Sequence, residues 1–287
     1  MTSLPRAAKS IVAPRRGNLQ QLELTERGRK LSAWCPDDEV FTLCRELVLD
    51  RVYERNGLAL HPGMGTVVDA GAHVGIFSLL ASQWAERVIA LEANELNFRV
   101  LDLNVARNAL TNVEPRHCAL WSVSSGAVGF APAHHSGGGV VAEIRPGLPD
   151  TVEVRATSLD DLVSELGKID LLKIDIEGAE YDVLRAATAL DTIGAIVGEM
   201  HIERDGDRTR LDALAAHLET AGFEVGLVSE AQLLARDCLA RLWSNRDALK
   251  GRWLIKALAA GYYLAPVKKP IRPPGATYEL PILIAHR

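Results

Sequence analysis

Val67-Val68-Asp69-Ala70-Gly71-Ala72-His73-Val74-Gly75-Ile76-Phe77-Ser78 is an apolar run that reaches an acidic residue, turns at glycine and enters a second apolar stretch. A short, unbroken apolar run before a glycine reads as a strand buried on both faces, and Gly75-Ile76-Phe77-Ser78-Leu79-Leu80 reads as the start of a helix. Gly71 allows a tight turn and the close approach of a ligand to the backbone. Gly75 is expected to let the helix start sit close to the sheet. The helix N-terminus offers free N–H groups and the positive end of a dipole, which suit a carboxylate or phosphate.

Outward from this motif, strand and helix patterns alternate. Strands are expected at residues 66–70, 88–91, near 117–120, 169–174, 195–200 and 223–228, with a closing run at Leu280-Pro281-Ile282-Leu283-Ile284-Ala285. Helices are expected at residues 96–110, 159–166, 177–190 and 208–221. This alternation implies an α/β fold, a mostly parallel sheet with helices on both faces. Residues 122–157, rich in Gly, Pro and Val, read as inserted β-hairpins, and residues 230–276 as a helical cap between the last two strands. Upstream, residues 20–34 suit a hairpin turned at Glu26-Arg27-Gly28-Arg29, and Asp37 or Asp38 can cap a helix through Phe41, Cys44, Leu47, Val48 and Val52. The expected organisation is a tail and hairpin over 1–36 and one domain over 37–287 that carries both insertions.

Composition narrows the classes of function. The chain has 287 residues, 48% of them hydrophobic and 24% charged, with a net charge of −5, so no overall field attracts nucleic acid and none is expected as a partner. Cys35, Cys44, Cys118 and Cys238 show neither Cys-x-x-Cys pairing nor a His at zinc-ligand spacing, and read as free thiols of a reducing compartment. No apolar run reaches the roughly 20 residues of a membrane span. The basic N-terminus (Arg6, Lys9, Arg15, Arg16) lacks the continuous apolar segment of a secretory signal, so a cytoplasmic location is expected.

Two chemistries use a strand–glycine turn–helix. A dinucleotide site calls for Gly-x-Gly-x-x-Gly, because pyrophosphate must lie against bare backbone. Here the middle glycine position is His73, whose side chain would obstruct it. S-adenosyl-L-methionine has no pyrophosphate, and its site works with fewer glycines plus an acidic residue, here Asp69, near the amino-acid end of the ligand. A second carboxylate should close the next strand and accept the ribose hydroxyls, and Glu92 follows Val88-Ile89-Ala90-Leu91.

With Ala90-Leu91-Glu92-Ala93-Asn94, Ser158-Leu159-Asp160-Asp161 and Ile169-Asp170-Leu171-Leu172-Lys173-Ile174-Asp175-Ile176-Glu177-Gly178-Ala179-Glu180, then Val183-Leu184, the motif resembles the FkbM family of methyltransferases. The Lys-x-Asp-x-Glu-Gly stretch is its most specific part. The resemblance implies a class I methyltransferase, a Rossmann-like doubly wound sheet that is mostly parallel with an antiparallel last strand. It also implies methyl transfer from S-adenosyl-L-methionine to oxygen, usually a hydroxyl of a sugar, polyketide or lipid-linked glycan. Carried over residue by residue, Asp69, Gly71, His73, Gly75, Glu92 and Ala93 line the cofactor site, and Ala119-Leu120 sits where adenine contacts are usual. Tyr53 would close over the methionine end. The family usually has Asn where His73 stands and Pro where Ala93 stands.

An alcohol nucleophile has a pKa not far from that of water, about 15.7, so a base or a metal must help remove its proton. Period-two alternation puts Leu171, Lys173, Asp175 and Glu177 on one side, rising into the crevice beyond the carboxyl ends of the strands. Asp175 is the first choice beside the transferred methyl, with Lys173 orienting it. The competing reading of Lys173 is a structural ion pair, since a buried lysine must be paired. By the same alternation Glu199 and His201 share a face, and His201 is the natural base near neutral pH. Asp175, Glu199 and His201 could instead hold one divalent ion, although no tight ligand spacing demands it and metal is not favoured. His134-His135 before a Gly-rich run reads as a surface hairpin tip. The basic and aromatic residues of 236–272 suit either a solvated cap over a small-molecule, glycan or glycolipid acceptor, or peripheral contact with an anionic membrane. The rival classes are an NAD-dependent oxidoreductase or epimerase and a non-catalytic cofactor-binding module.

Overall fold

The computed structural model describes residues 19–36, 53, 60–123, 126–132, 139–142, 151–202, 207–228 and 282–287. In chain order these form the hairpin β1 (Leu19–Glu26) and β2 (Arg29–Pro36), then β3 (Met64–Ala70), α1 (Ile76–Ala81), β4 (Ala85–Glu92), α2 (Glu95–Arg107) and β5 (Val113–His117). Next come β6 (Ala119–Leu120), β7 (Ala127–Pro132), β8 (Gly139–Ala142), β9 (Val152–Thr157), α3 (Leu159–Leu166) and β10 (Ile169–Ile174). The chain continues as α4 (Glu180–Ala186), β11 (Ile193–Glu199), α5 (Asp207–Thr220), β12 (Glu224–Val228) and β13 (Ile282–His286). The helix expected through residues 41–52, the His134-His135 tip and the cap with its membrane contact over 236–272 lie outside the described residues.

The main sheet has seven strands in the order β12-β13-β11-β10-β3-β4-β5. β11, β10, β3, β4 and β5 pair in parallel, and β13 runs antiparallel between β11 and β12. This is the class I methyltransferase arrangement, with the antiparallel last strand that the family resemblance implied. The chain winds outward from β3 to β5 and returns to β10 on the other side of β3. The strand order therefore reverses between β3 and β10, and a crevice opens beyond their carboxyl ends. The glycine turn and the Lys-x-Asp-x-Glu-Gly stretch both leave the sheet there.

Neighbouring residues of each central strand enter opposite cores, as the period of two requires. Val67, Leu171, Val197 and Ile284 face Leu79 and Leu80 of α1, Leu101 of α2 and Leu22, Leu24 and Leu31 of the hairpin. Val68, Leu172, Ile196 and Leu283 face Leu162 of α3, Leu184 of α4 and Leu214 of α5. Each such side chain contributes about 1.5–3 kcal/mol relative to exposure. The hairpin, set apart with residues 1–36 on sequence, is thus part of the first core. Asn104 of α2 and Asn108, which caps the C-terminus of that helix, clamp it. Asn104 accepts from Trp34 N (2.7 Å) and donates to Trp34 O (2.9 Å), and Asn108 does the same with Ser32 N (2.8 Å) and Ser32 O (2.7 Å).

Three elements differ from the sequence reading. The single strand expected near 117–120 is two: β5, an edge strand that tolerates Pro115, and β6, which pairs with β9 in a second sheet. The expected hairpins of 122–157 form the rest of that second sheet, order β6-β9-β7-β8. The helix expected from residue 177 starts at Glu180, because Glu177 (φ +60°) and Gly178 (φ +97°) make a left-handed turn instead. No helix among the described residues is long and apolar enough to cross a membrane.

Candidate functional site

The turn between β3 and α1 is held by backbone. Gly71 N and Ala72 N both donate to Leu91 O (3.0 and 2.9 Å), and Asp175 N donates to Ala70 O (3.0 Å). Gly71 has φ +76°, and a Cβ there would lie 1.7 Å from the carbonyl oxygen of Asp175. The close approach that demands glycine is therefore that of the neighbouring strand's exit, not of a ligand alone. Gly75 (φ +87°) would place a Cβ 2.4 Å from Leu101 Cδ1, so it lets α1 meet α2 and not, as expected, the sheet. His73 also has positive φ, +53°.

Beneath the turn lies a closed ion pair. Asp69 is fully buried, and its carboxylate meets Lys173 Nζ at 3.2 Å and accepts from Ser78 Oγ at 2.6 Å. Lys173, in register with Asp69 on the adjacent strand, donates to Gly71 O at 2.8 Å and lies 3.9 Å from Asp175. Burial acts against its charge, but the charges of Asp69 and Asp175, the hydrogen bond with Asp69 and the charge of Glu92 prevail and hold it above the ordinary lysine value. Asp69 thus supports the turn from beneath, paired with Lys173 and Ser78.

Glu92 closes β4 with 7% exposure, one oxygen accepting from His73 N and the other from Asn94 N, both at 2.7 Å. Burial raises its carboxyl, against the lowering pull of His73, the two amide bonds and Lys173. A carboxylate oxygen has two lone pairs, so each can still accept a ribose hydroxyl. Beside it His117 stacks on Phe98 (centroids 5.2 Å apart) and meets Ala93 O at 3.0 Å through Nε2. Ala119, expected at the adenine, is 2% exposed and packs with Val128, Phe130 and Val154 in the core of the second sheet.

The other rim is acidic. The Tyr53 hydroxyl donates to Asp175 Oδ2 (2.8 Å) and lies 3.5 Å from Glu199 Oε2, while its ring stands edge-on to Phe77. Tyr53 thus ties the two carboxylates to the first core. His201 does not share a face with Glu199. Its Nε2 meets Glu177 at 3.1 Å and its Nδ1 lies 3.4 Å from the fully buried Glu180. β11 ends at Glu199, so the alternation that paired the two residues no longer applies beyond it. Burial opposes a charged ring, but the hydrogen bonds to Glu177 and Glu180 and the charges of Glu180 and Asp175 prevail, and its pKa is pushed up to about 11. Both ring nitrogens of His201 therefore face carboxylates, which together favour a positive charge between them. Glu177 was placed in the crevice on sequence but not with His201, and Glu180 was missed as a site residue. Their signal was the repeated acidic spacing through Asp175, Glu177 and Glu180.

The sequence profile described as "Methyltransferase FkbM domain" matches residues 69–225, from the buried aspartate of β3 into β12. The chain belongs to this family. It is 33% identical over 259 residues to the AMB antimetabolite synthetase AmbE of Pseudomonas aeruginosa, covering 75% of this chain but spanning only 12% of that protein. It is 31% identical over 216 residues to the 31-O-demethyl-FK506 methyltransferase FkbM of Streptomyces tacrolimicus (64% of this chain, 81% of that one). It is 30% identical over 136 residues to the hexuronic acid methyltransferase AglP of Haloferax volcanii (46% and 54%). As an FkbM-family protein the chain is an S-adenosyl-L-methionine-dependent methyltransferase, which sets aside the nicotinamide oxidoreductase and the non-catalytic module.

Proposed function

We propose that the protein transfers methyl to a hydroxyl oxygen of a sugar, glycolipid or secondary-metabolite acceptor, with Asp175 as the proton acceptor. The observation that carries this reading is the position of Asp175: 26% of its side chain is exposed, it follows β10 at the point where the strand order reverses, and Tyr53 fixes it. The relatives act on acceptors of this kind by name, one on 31-O-demethyl-FK506 and one on hexuronic acid.

Bound S-adenosyl-L-methionine would supply a methyl group on a positively charged sulfur. Glu92 holds the ribose hydroxyls, and His73, Ala93 and the glycine turn shape the surface beside it. Lys173, tied to Gly71 O and near Asp175, joins the two halves of the crevice. Asp175 would take the proton of the acceptor hydroxyl, whose oxygen would replace the cofactor sulfur on the methyl carbon, the electron pair of the broken bond staying on sulfur. Holding the acceptor hydroxyl in place against the bound cofactor would supply much of the rate. Glu199, bridged to Asp175 through Tyr53, keeps that carboxylate aimed.

The test is incubation with methyl-labelled cofactor and fractionated cell extract, with the labelled product identified by mass spectrometry. An alkali-stable methyl ether is expected. A label found only on nitrogen or carbon would overturn the reading.

A further inference from the structure

The geometry points to a divalent-cation site formed by Asp175, Glu177 and His201, set at the acceptor side of the crevice. One ligand atom from each of the three lies within 4.8 Å of the other two. They come from two different strand exits, after β10 and after β11, so local sequence spacing does not explain the convergence. One imidazole nitrogen with two carboxylate oxygens is a donor set for a divalent cation such as Mn2+, with coordination positions left for water and an acceptor oxygen.

Two further observations favour a cation over a plain acidic cluster. His201 is 6% exposed, and its ring is set with Nε2 toward Glu177 at 3.1 Å and Nδ1 backed by Glu180 Oε1 at 3.4 Å. A cation on Nε2 would displace the proton there, and Nδ1–H would donate to Glu180, the carboxylate–histidine–metal relay that fixes ring and tautomer. Glu180 is already held for that task, since it is fully buried and its Oε1 accepts from Ile176 N at 2.8 Å. The site is also closed on one side and open on the other. The His201 side chain is 5% exposed, whereas those of Asp175 and Glu177 are 26% and 37% exposed toward the crevice.

A cation there would draw the acceptor oxygen beside Asp175 and make its hydroxyl more acidic. Asp175 Oδ2 takes the Tyr53 hydrogen bond, and the lone pairs that remain on the carboxylate suffice for both cation and proton. This role rests on the hydroxyl-methylating reading, but the site itself does not.

Mn2+ is titrated into the full-length, metal-stripped protein and followed by electron paramagnetic resonance and calorimetry without any acceptor. One Mn2+ per chain is expected. Glu177→Gln and His201→Asn should each weaken its binding by about tenfold or more, and Glu180→Gln, which alters only the relay, by about tenfold. S-adenosylhomocysteine affinity, measured on the same samples, shows that Glu177→Gln is folded, since Glu177 is a partly exposed turn residue. A parent protein that binds no Mn2+, or a folded Glu177→Gln variant that binds it as tightly as the parent, overturns the site. Hydroxyl methylation by rigorously metal-free protein would overturn the cation's role and leave the proposed reaction standing. Mn2+ binding at these residues without any hydroxyl methylation would do the reverse.

Discussion

On the β3 side of the crevice the chain builds its site from backbone; on the β10–β11 side it builds from side chains. Around the glycine turn the amides of Gly71 and Ala72 are tied to Leu91 O, Glu92 accepts from the amides of His73 and Asn94, and the charged pair of Asp69 with Lys173 is sealed beneath. Across the crevice Tyr53 joins Asp175 and Glu199, and His201 joins Glu177 and Glu180, all through side-chain atoms. A rim held by backbone tolerates no added atom where chains touch, but it varies little with the side chains facing the ligand. A rim of side chains can be re-equipped one residue at a time without disturbing the fold. The same family frame can thus serve acceptors as unlike as those its relatives are named for.

The sharpest break in this contrast is Gly71→Ala. Positive φ alone costs roughly 1–2 kcal/mol for a residue with a Cβ. The clash with Asp175 O cannot be relieved by rotating a side chain, because the obstacle is backbone. Loss of both S-adenosylhomocysteine binding and much of the urea stability is expected. A Gly71→Ala protein with the parent's denaturation midpoint would show that β3 and β10 do not exit as closely as described. Gly75→Ala should be milder, since Leu101 Cδ1 is the end of a flexible side chain.

Asp175→Asn should do the opposite: leave the frame and remove the reaction. The amide keeps the shape and a Tyr53 contact but loses the charge, so turnover should fall by about 10²–10⁴ while cofactor affinity stays within a few-fold. Single-turnover rates and calorimetry on one preparation separate the two quantities. Equal turnover would make Asp175 a structural residue.

These two positions also mark how far the sequence could be read. Strands, helices and the motif at Asp69–Gly75 were legible because burial on both faces leaves continuous apolar runs, and glycine marks a positive φ. Asp175 was legible from its place two residues past Lys173. The arrangement around His201 was not. Period-two reasoning holds only while the chain is a strand, and both β10 and β11 end before the residues in question. Glu177 turns at φ +60°, and His201 goes to Glu177 and Glu180 while Glu199 goes to Tyr53. The sealing of Asp69 beneath the turn was hidden for a different reason. Its partner Lys173 stands in register on a strand about a hundred residues away, and register across a parallel pair is not written in either strand alone.

Glu92→Gln tests the cofactor rim at a side chain. Both oxygens of Glu92 face N–H donors, so the amide group of glutamine must present a donor to one of them. Hydrogen bonds to a charged group are worth about 1.5–3 kcal/mol, so S-adenosylhomocysteine affinity should fall by one to two decades. Unchanged affinity in a folded variant would move the ribose away from β4.

The smallest effect is expected at His73, and it bears on whether the cofactor rim ignores its side chains. His73 stands at φ +53° where the family usually has Asn. Histidine is tolerated in the left-handed region, but asparagine visits it more readily because its short polar group can bond the local backbone. The residue's amide, not its ring, is what Glu92 holds, so His73→Asn keeps the 2.7 Å bond that fixes the turn. The variant should be as stable as the parent or more stable by under about 1 kcal/mol, a rise in Tm of no more than about 2–4 °C. Cofactor affinity should change less than about threefold, well inside the effect of Glu92→Gln. A tenfold loss of affinity with stability intact would mean that the imidazole itself touches the cofactor. The β3 rim would then be built of side chains as well, and the contrast between the two sides of the crevice would fail at this position.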